Sequence, residues 1–358
     1  MSGDADPQST ASRPDDQTGP ETLTTAHGAG TAEMRDLLTE TVVPRLALAG
    51  GTDGLGLTAL DDGAVLPTDG DSLVVTTDSH VVDPPEFPGG DIGTLAVAGT
   101  VNDLAAMGVT EPLALTCGLV VEAGTPEPLI ERVLDSMGRL AETVGTRIVT
   151  GDTKVVPAGD VDGVVVNTAG VGFVPPGAHL PTAGLSPGDR LLVTGPVGDH
   201  GVALLAEREG FEFATDIESD VAPVDDLVAA AREAGQVTAA TDPTRGGLAT
   251  ALIELATASE VGIDLDGRAV PVADPTESAA DVLGLDPLRV ACEGRLVLGV
   301  APEDAAAVRD AVRARSAGDE AALIGRAVDD HTGRVVVDTG IGERYLTEAS
   351  GEQLPRIC

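Results

Sequence analysis

Short apolar strands alternate with helical segments in both halves of this 358-residue chain, and no other feature constrains the fold as strongly. The β-branched runs Ser72–Thr77 and Val164–Gly172 predict strands, whereas Ile92–Met107 and Leu248–Ser259 have helical spacing. A stretch rich in Pro and Gly, Pro175–Pro187, separates the two halves. This alternation is typical of layered α/β and α+β domains, so we expect two such domains.

The two domains are expected over residues 23–175 and 182–340. Residues 1–22 contain almost no apolar side chains and are predicted to form a disordered acidic leader. Residues 341–358 are predicted to form a mobile tail, because chain ends are usually mobile unless they dock.

The composition is strongly acidic, with 59 acidic against 21 basic residues and a net charge of −38. Diffuse acidity with scarce lysine indicates adaptation to high salt, since unscreened repulsion would destabilise a compact state. A basic ligand or partner is the alternative. The chain has no basic stripe, which disfavours nucleic-acid binding, and no apolar run long enough to span a membrane. No apolar signal core is present near the N-terminus, so a cytoplasmic location is expected.

Two residues stand out against this composition. Lys154 is the only lysine, and lysine can lose its proton when desolvated whereas arginine cannot. Cys358 is the last residue, where a thiol could act as a mobile covalent carrier. The alternatives are a leftover surface lysine and an incidental cysteine at a frayed end. Only three cysteines occur and none forms a Cys-x-x-Cys pair, which disfavours disulfide frameworks and Cys-rich zinc sites.

Carboxylates recur at the ends of short apolar segments, at Asp62, Asp78, Asp103, Asp152 and Asp242. Such hard oxygen ligands suit Mg²⁺, which usually keeps waters and bridges to phosphate oxygens. In such an acidic chain, these residues could equally be solvated surface carboxylates with no role in metal binding.

A possible phosphate seat lies at Thr244-Arg245-Gly246-Gly247, where a helix start, missing side chains and a guanidinium coincide. The alternative is an ordinary helix cap. Walker, Gly-x-Gly-x-x-Gly and Gly-x-Ser-x-Gly motifs are absent from their expected contexts, so any nucleotide must be held in another way. Glu293 precedes an apolar strand and is unremarkable on its own.

A series of short motifs runs from about residue 23 to the last residue: His27-Gly-Ala-Gly, Asp61-Asp-Gly-Ala-Val, Thr76-Thr-Asp-Ser-His, Phe87-Pro-Gly-Gly-Asp, Gly99-Thr-Val-Asn-Asp, Thr150-Gly-Asp-Thr-Lys, Asn167-Thr-Ala-Gly, Gly198-Asp-His-Gly, Asp242-Pro-Thr-Arg-Gly-Gly, Glu293-Gly-Arg-Leu-Val and Pro355-Arg-Ile-Cys. Together they resemble the HypE family of hydrogenase maturation proteins, in the aminoimidazole-ribonucleotide-synthetase-like superfamily of ATP-using enzymes. The chain departs from the family pattern at Gly63, where Ala is usual, and at Arg295, where Lys is common.

The resemblance implies a homodimer whose N-terminal sheets form a barrel, a C-terminal α/β sandwich and a flexible C-terminal tail. A partner carbamoyltransferase would load a carbamoyl group onto Cys358. ATP-dependent dehydration would then convert the thiocarboxamide to a thiocyanate. An iron-scaffold complex would receive the cyanide for nickel–iron hydrogenase.

The resemblance also implies roles for particular residues. Lys154 and Glu293 would remove the amide protons. Mg²⁺ would be bound by Asp62, Asp78, Asp103 and Asp242. The nucleotide would be bound by Gly28, Gly30, Asn102, Gly151, Asp152, Thr153, Thr244, Arg245 and Gly246.

Two rival interpretations remain open at this point. A thiamine-monophosphate kinase or a selenophosphate synthetase of the same superfamily would share the fold without needing a terminal cysteine. A non-catalytic scaffold that delivers a ligand on its tail would not hydrolyse ATP.

Overall fold

The computed structural model describes residues 22–29, 31–47, 54–211 and 216–347. The predicted leader, apart from residue 22, lies outside these ranges, as do the candidate residues Gly30 and Cys358. None of the helices within these ranges combines the length and apolar character needed to cross a membrane.

The strands of the described chain are β1 Ala64–Leu66, β2 Ser72–His80, β3 Glu86–Phe87, β4 Gly90–Asp91, β5 Ala114–Glu122, β6 Ile148–Val156, β7 Val164–Val174, β8 Arg190–Val193, β9 Val237–Thr241, β10 Gly262–Asp266, β11 Val297–Val300, β12 Ala322–Val328, β13 Val335–Asp338 and β14 Glu343–Leu346. The α-helices are α1 Ala32–Asp36, α2 Val43–Leu46, α3 Ile92–Ala106, α4 Glu127–Val144, α5 Asp199–Glu209, α6 Asp225–Ala234, α7 Gly247–Ala258, α8 Asp274–Leu283 and α9 Ala305–Arg313. A π-helical stretch, Leu37–Val42, joins α1 to α2. The expected mixed α/β architecture is confirmed.

The N-terminal sheet has the strand order β1-β2-β7-β5-β6, in which only the β5–β6 pair is parallel. Helices α3 and α4 cover one face of this sheet. The two helices approach closely at Gly93, where a Cβ atom would lie only 2.3 Å from the carbonyl oxygen of Val133. Helix α3 is therefore enclosed between the sheet and α4, and it presents its C-terminal half to the C-terminal domain.

The other face of the N-terminal sheet is not covered within the described chain. Alternate residues of β7 are only partly buried there, and Phe173 is 48% exposed. Edge strand β6 is exposed along almost its whole length, including Val155 at 69%. Apolar side chains in water on an open sheet face mark a surface suited to association.

The C-terminal sheet has the strand order β14-β13-β10-β12-β8-β11-β9. Leu192 and Leu298 point toward α6 and α9 on one face, and Leu191 and Val297 point toward α7 on the other. This alternation along buried strands follows from the two-residue period of β-structure. The sheet therefore positions the loops before α7 and β11 at the boundary with the N-terminal domain.

Several elements differ from the sequence predictions. The sequence interpretation did not identify α6, α8, β9, β10 and β12. Residues 343–346 do not trail off as part of a tail, because they pair with β13 as antiparallel strand β14. The segment from 348 to 358 lies outside the described residues.

Candidate functional site

A pocket of about 180 Å³ lies where the two domains meet. The N-terminal domain contributes side chains from the loop before β1, from β2 and from α3, and the C-terminal domain contributes the loops before α7 and β11. The lining residues are Asp62, Thr76, Thr77, Asp78, Gly99, Asp103, Asp242, Thr244, Arg245 and Glu293. All four aspartates predicted to bind metal therefore line one cavity, together with Glu293 and part of the predicted phosphate seat.

The aspartates of this pocket repel one another. Burial, followed by the charges of Asp242 and Asp103, raises the pKa of Asp62 well above its usual value. Burial and then Asp242 and Asp78 raise the pKa of Asp103 well above its usual value, although the Thr76 hydroxyl donates a 2.7 Å hydrogen bond to it. Burial and then Asp78 raise the pKa of Asp242 to about 6. Several anions can occupy one such site stably only with cations between them.

The donor set fits Mg²⁺ in the way that this ion binds with phosphates. No group of three or more His, Cys, Asp or Glu side chains within the described ranges forms a ready metal cage. Mg²⁺ does not require such a cage, because it usually keeps several waters and takes one or two carboxylates plus phosphate oxygens. Asp62 Oδ2 is buried without a hydrogen-bond partner among the described groups, so it is an oxygen ligand available inside the pocket.

The positive side of the pocket is the start of α7. Gly246 is the N-cap of α7 with φ +81°, and Gly247 follows with φ +63°. A Cβ atom at Gly247 would lie 2.5 Å from the carbonyl oxygen of Val290, so only glycine fits this left-handed turn. The charge of Arg245 lowers the pKa of Asp103 and of Asp242. A helix N-terminus beside a guanidinium is suited to an anion such as phosphate.

Glu293 has its carboxyl group inside the pocket and its backbone fixed from two sides. It is 3% exposed, and its Oε1 atom has no hydrogen-bond partner among the described groups. Burial, followed by Asp242, Asp78 and Asp220, raises its pKa well above the usual value. Its N–H donates to Asp220 Oδ1 at 3.2 Å, and its carbonyl accepts from Asn102 Nδ2 at 2.9 Å. A buried carboxyl group with high proton affinity and one oxygen atom without a hydrogen-bond partner in the protein is suited to proton transfer.

Asn102 is not among the residues that line this pocket, and its role in nucleotide binding stays a prediction. Besides Glu293, its Nδ2 donates to the carbonyl of Ala222 at 3.0 Å, and its Oδ1 accepts from the N–H of Val224 at 3.0 Å. The side chain is 2% exposed and uses its amide inside the protein. Asn102 is thus a link between α3 and the C-terminal domain.

The other predicted residues lie apart from the pocket in this single chain. Gly151, Asp152, Thr153 and Lys154 are on the exposed edge strand β6. The Lys154 side chain is 64% exposed and forms an ion pair with Asp152, so it is not desolvated in the isolated chain. Gly28 is exposed at the end of a short 3₁₀ turn.

Sequence reasoning missed Asp220, whose side chain is fully buried next to the Glu293 backbone. Asp220 lies in the segment 216–224, which precedes α6 and forms no helix or strand. The segment therefore has no helical or strand periodicity from which the residue could have been identified. Its position immediately before a short apolar stretch ending in Pro223 was the only available signal.

Comparisons with known proteins agree with this architecture. The family models for the N-terminal and C-terminal domains of AIR synthase related proteins match residues 60–174 and 186–338. Carbamoyl dehydratase HypE of Rhodobacter capsulatus is 46% identical over 340 residues, covering 94% of this chain and 98% of that protein. A crystal structure of HypE in complex with ATP is 39% identical with a TM-score of 0.78, covering 94% of this chain and 100% of that one. In a HypE–HypF complex, the matching chain is 36% identical with a TM-score of 0.80, covering 87% and 99%.

A thiamine monophosphate kinase from Aquifex aeolicus is also similar, at 20% identity and a TM-score of 0.56, over 77% of this chain and 91% of that one. Identity this low shows a shared fold alone. The HypE relatives share a much higher sequence identity with this chain than the kinase does, over nearly the whole chain. This chain therefore belongs to the HypE family of carbamoyl dehydratases, among the AIR synthase related proteins.

Proposed function

We propose that this chain is an ATP-dependent carbamoyl dehydratase, which converts a carbamoyl group on the Cys358 sulfur to a thiocyanate during maturation of nickel–iron hydrogenase. Family membership supports the reaction class. The observation that carries the proposal for this chain is the convergence of four aspartates, Arg245 and Glu293 on one pocket between the domains.

The reaction removes the elements of water from the thiocarboxamide. Its carbonyl oxygen takes the terminal phosphoryl group of ATP, and ADP leaves. The two amide protons are then removed and the carbon–oxygen bond breaks, which releases inorganic phosphate and leaves the nitrile on sulfur. The Glu293 carboxylate is placed to accept one of these protons once bound cations favour its ionised form, because its Oε1 atom is buried at the pocket without a hydrogen-bond partner among the described groups.

Mg²⁺ is proposed to be held by Asp62, Asp78, Asp103 and Asp242, and it would neutralise phosphate charge when bound. Thr244, Arg245 and the N-terminus of α7 would orient the phosphate chain. The pocket therefore combines carboxylates that could hold a cation with a guanidinium and a helix N-terminus that could hold an anion.

Lys154 can take part only if its surroundings change, because it lies on the open edge of the N-terminal sheet. We propose a homodimer in which a second copy covers the open face that includes Phe173 and the exposed strand β6. The exposed apolar side chains there support this arrangement. Burial in the dimer would also bring the Gly151–Lys154 motif out of bulk water.

Two further partners are proposed: a carbamoyltransferase that loads Cys358, and an iron-scaffold complex that receives the cyanide, both in the cytoplasm. The solved HypE–HypF complex supports a partner of the first kind. For the second kind, the support is the chemistry of the product, since a cyano group on sulfur becomes an iron ligand only when an iron-bearing acceptor takes it.

Intact-mass spectrometry tests the function. The purified chain is incubated with the carbamoyltransferase and its carbamoyl donor, and ATP is added afterwards. We expect a carbamoyl adduct that loses one water only after ATP is added. A variant of the half-buried Cys117, Cys117→Ala, is the control and should behave as the parent does. An adduct that never loses water with Mg²⁺ and ATP would refute the proposal.

A further inference from the structure

The segment 216–224 joins both domains although it forms no helix or strand. The N–H of Ser219 donates to the carbonyl of Pro88 in the N-terminal domain at 2.8 Å. Later in the segment, the side chain of Asn102 on α3 donates a hydrogen bond to the carbonyl of Ala222 and accepts one from the N–H of Val224. The segment is therefore anchored on both sides of Asp220.

Asp220 uses its two carboxylate oxygens toward two different partners. Oδ1 accepts the N–H of Glu293 at 3.2 Å, whereas Oδ2 forms no hydrogen bond among the described groups and lies 3.5 Å from Nε of Arg295 as an ion-pair contact. The Asp220 side chain is fully buried and that of Arg295 is 12% exposed. Buried ion pairs contribute little to stability on average, so stability alone gives little reason for one here.

The backbone beside Asp220 allows little movement. A Cβ atom at Gly294 would lie 1.9 Å from the carbonyl oxygen of Asp220, so the two backbones are in direct contact. Arg295 is held in turn, because its Nε donates to the carbonyl of Pro196 at 2.9 Å and its Nη1 to that of Gly294 at 3.0 Å. A shift of Asp220 would therefore move the peptide that carries Glu293.

We propose that Asp220 is a positioning residue for the dehydration, which holds the Glu293 peptide so that its carboxyl group stays aimed into the pocket. The side chain of Asn102 donates a hydrogen bond to the carbonyl of Glu293, and the carboxylate of Asp220 accepts one from its N–H. This inference rests on the proposed function, because it assigns Asp220 to the proton-accepting group of that reaction.

Asp220→Asn tests the inference with little change in volume. An amide presents one acceptor and one donor, whereas the Glu293 N–H and the Arg295 guanidinium are both donors. Asparagine can accept from only one of them, so it either loses the Glu293 N–H or turns its amide toward the Arg295 guanidinium, and the repulsion between these donors displaces residue 220. Asp216→Asn, on the exposed start of the same segment, is the matched control. Each protein is loaded with the carbamoyl group, and the rate of water loss in a single turnover and the ATP dissociation constant are measured.

We expect Asp220→Asn to slow water loss by about tenfold or more, since small misplacements of a reacting group cost up to about 10²-fold. ATP affinity should change by less than about twofold, and the control should match the parent. Combined with Glu293→Gln, Asp220→Asn should slow the reaction little further, because both changes act on one group.

Four results would overturn the inference: an unchanged rate, an equal loss of ATP affinity, additive effects in the double variant, or failure of Asp220→Asn to fold. The last result would assign Asp220 to fold stability. If the parent chain itself loses no water, the proposed function fails instead.

Discussion

Asp242 should destabilise the metal-free fold at neutral pH, so its removal should stabilise the protein. Burial and the neighbouring Asp78 raise the pKa of Asp242 from 3.8 to about 6. A difference of this size corresponds to about 3 kcal/mol between the two protonation states. The asparagine amide that replaces the carboxylate must itself be buried, which offsets part of this difference, so we expect Asp242→Asn to raise the free energy of unfolding by about 2 kcal/mol at pH 7.

The sign of the pH dependence follows from the raised pKa. The folded state binds the Asp242 proton more tightly than the unfolded state does, so the destabilisation is fully present above about pH 6. It declines as the pH falls from about 6 and is absent below the usual value of 3.8. The difference between the parent and Asp242→Asn should therefore shrink toward zero near pH 4.

Urea unfolding in molar salt with a chelator measures both effects. The exposed Asp281 of α8 provides the matched control, since Asp281→Asn removes the same charge far from the pocket carboxylates. Added Mg²⁺ with ATP should stabilise the parent much more than Asp242→Asn, because ligands that bind the folded state raise its stability. A variant that is less stable than the parent at pH 7, or a difference that is constant from pH 4 to 7, would refute the reasoning.

Three further outcomes are expected. Cys358→Ala should abolish carbamoyl loading while leaving the circular dichroism spectrum unchanged, and normal adduct formation would contradict the carrier role. Lys154→Arg keeps the charge but removes a possible base, so dehydration should slow by about 10²–10⁴-fold, and a parental rate would show that the lysine is incidental. Lowering salt from molar to about 0.1 M lengthens the Debye length from about 3 Å to about 10 Å, so sedimentation should detect dissociation or unfolding of the proposed dimer. A dimer equally stable at both salt concentrations would contradict the salt adaptation.

The elements that the sequence predicted well have strong local signals. Helix α3 begins after Asp91, whose side chain accepts the N–H of Thr94 at 2.8 Å, and α4 ends at Gly145 with φ +81°. The missed strand β9 contains two alanines, and its stability comes from burial between layers rather than from β-propensity. Tertiary packing thus determines elements whose local sequence is ambiguous.

The site residues that lie at the end of an apolar segment could be predicted from the sequence. Asp62, Asp78, Asp103 and Asp242 could be singled out by position, and all of them line the pocket. The hydrogen bonds of the Asn102 side chain were not predictable, because its three partners are distant in sequence. The exposure of Lys154 was not predictable either, because it follows from the position of β6 at the edge of the sheet, which the local sequence does not specify.

The acidic surface and the acidic pocket should respond to different cations. Surface carboxylates are solvated, so monovalent salt screens them over a few ångströms. The pocket carboxylates are withdrawn from water, and Asp62 has a buried oxygen without a partner, so diffuse screening reaches them poorly. Molar KCl should therefore stabilise the fold as a whole without removing the benefit of Asp242→Asn, whereas Mg²⁺ with ATP should remove it. If molar KCl alone abolished the difference between Asp242→Asn and its parent at pH 7, the pocket would be an ordinary part of the acidic surface.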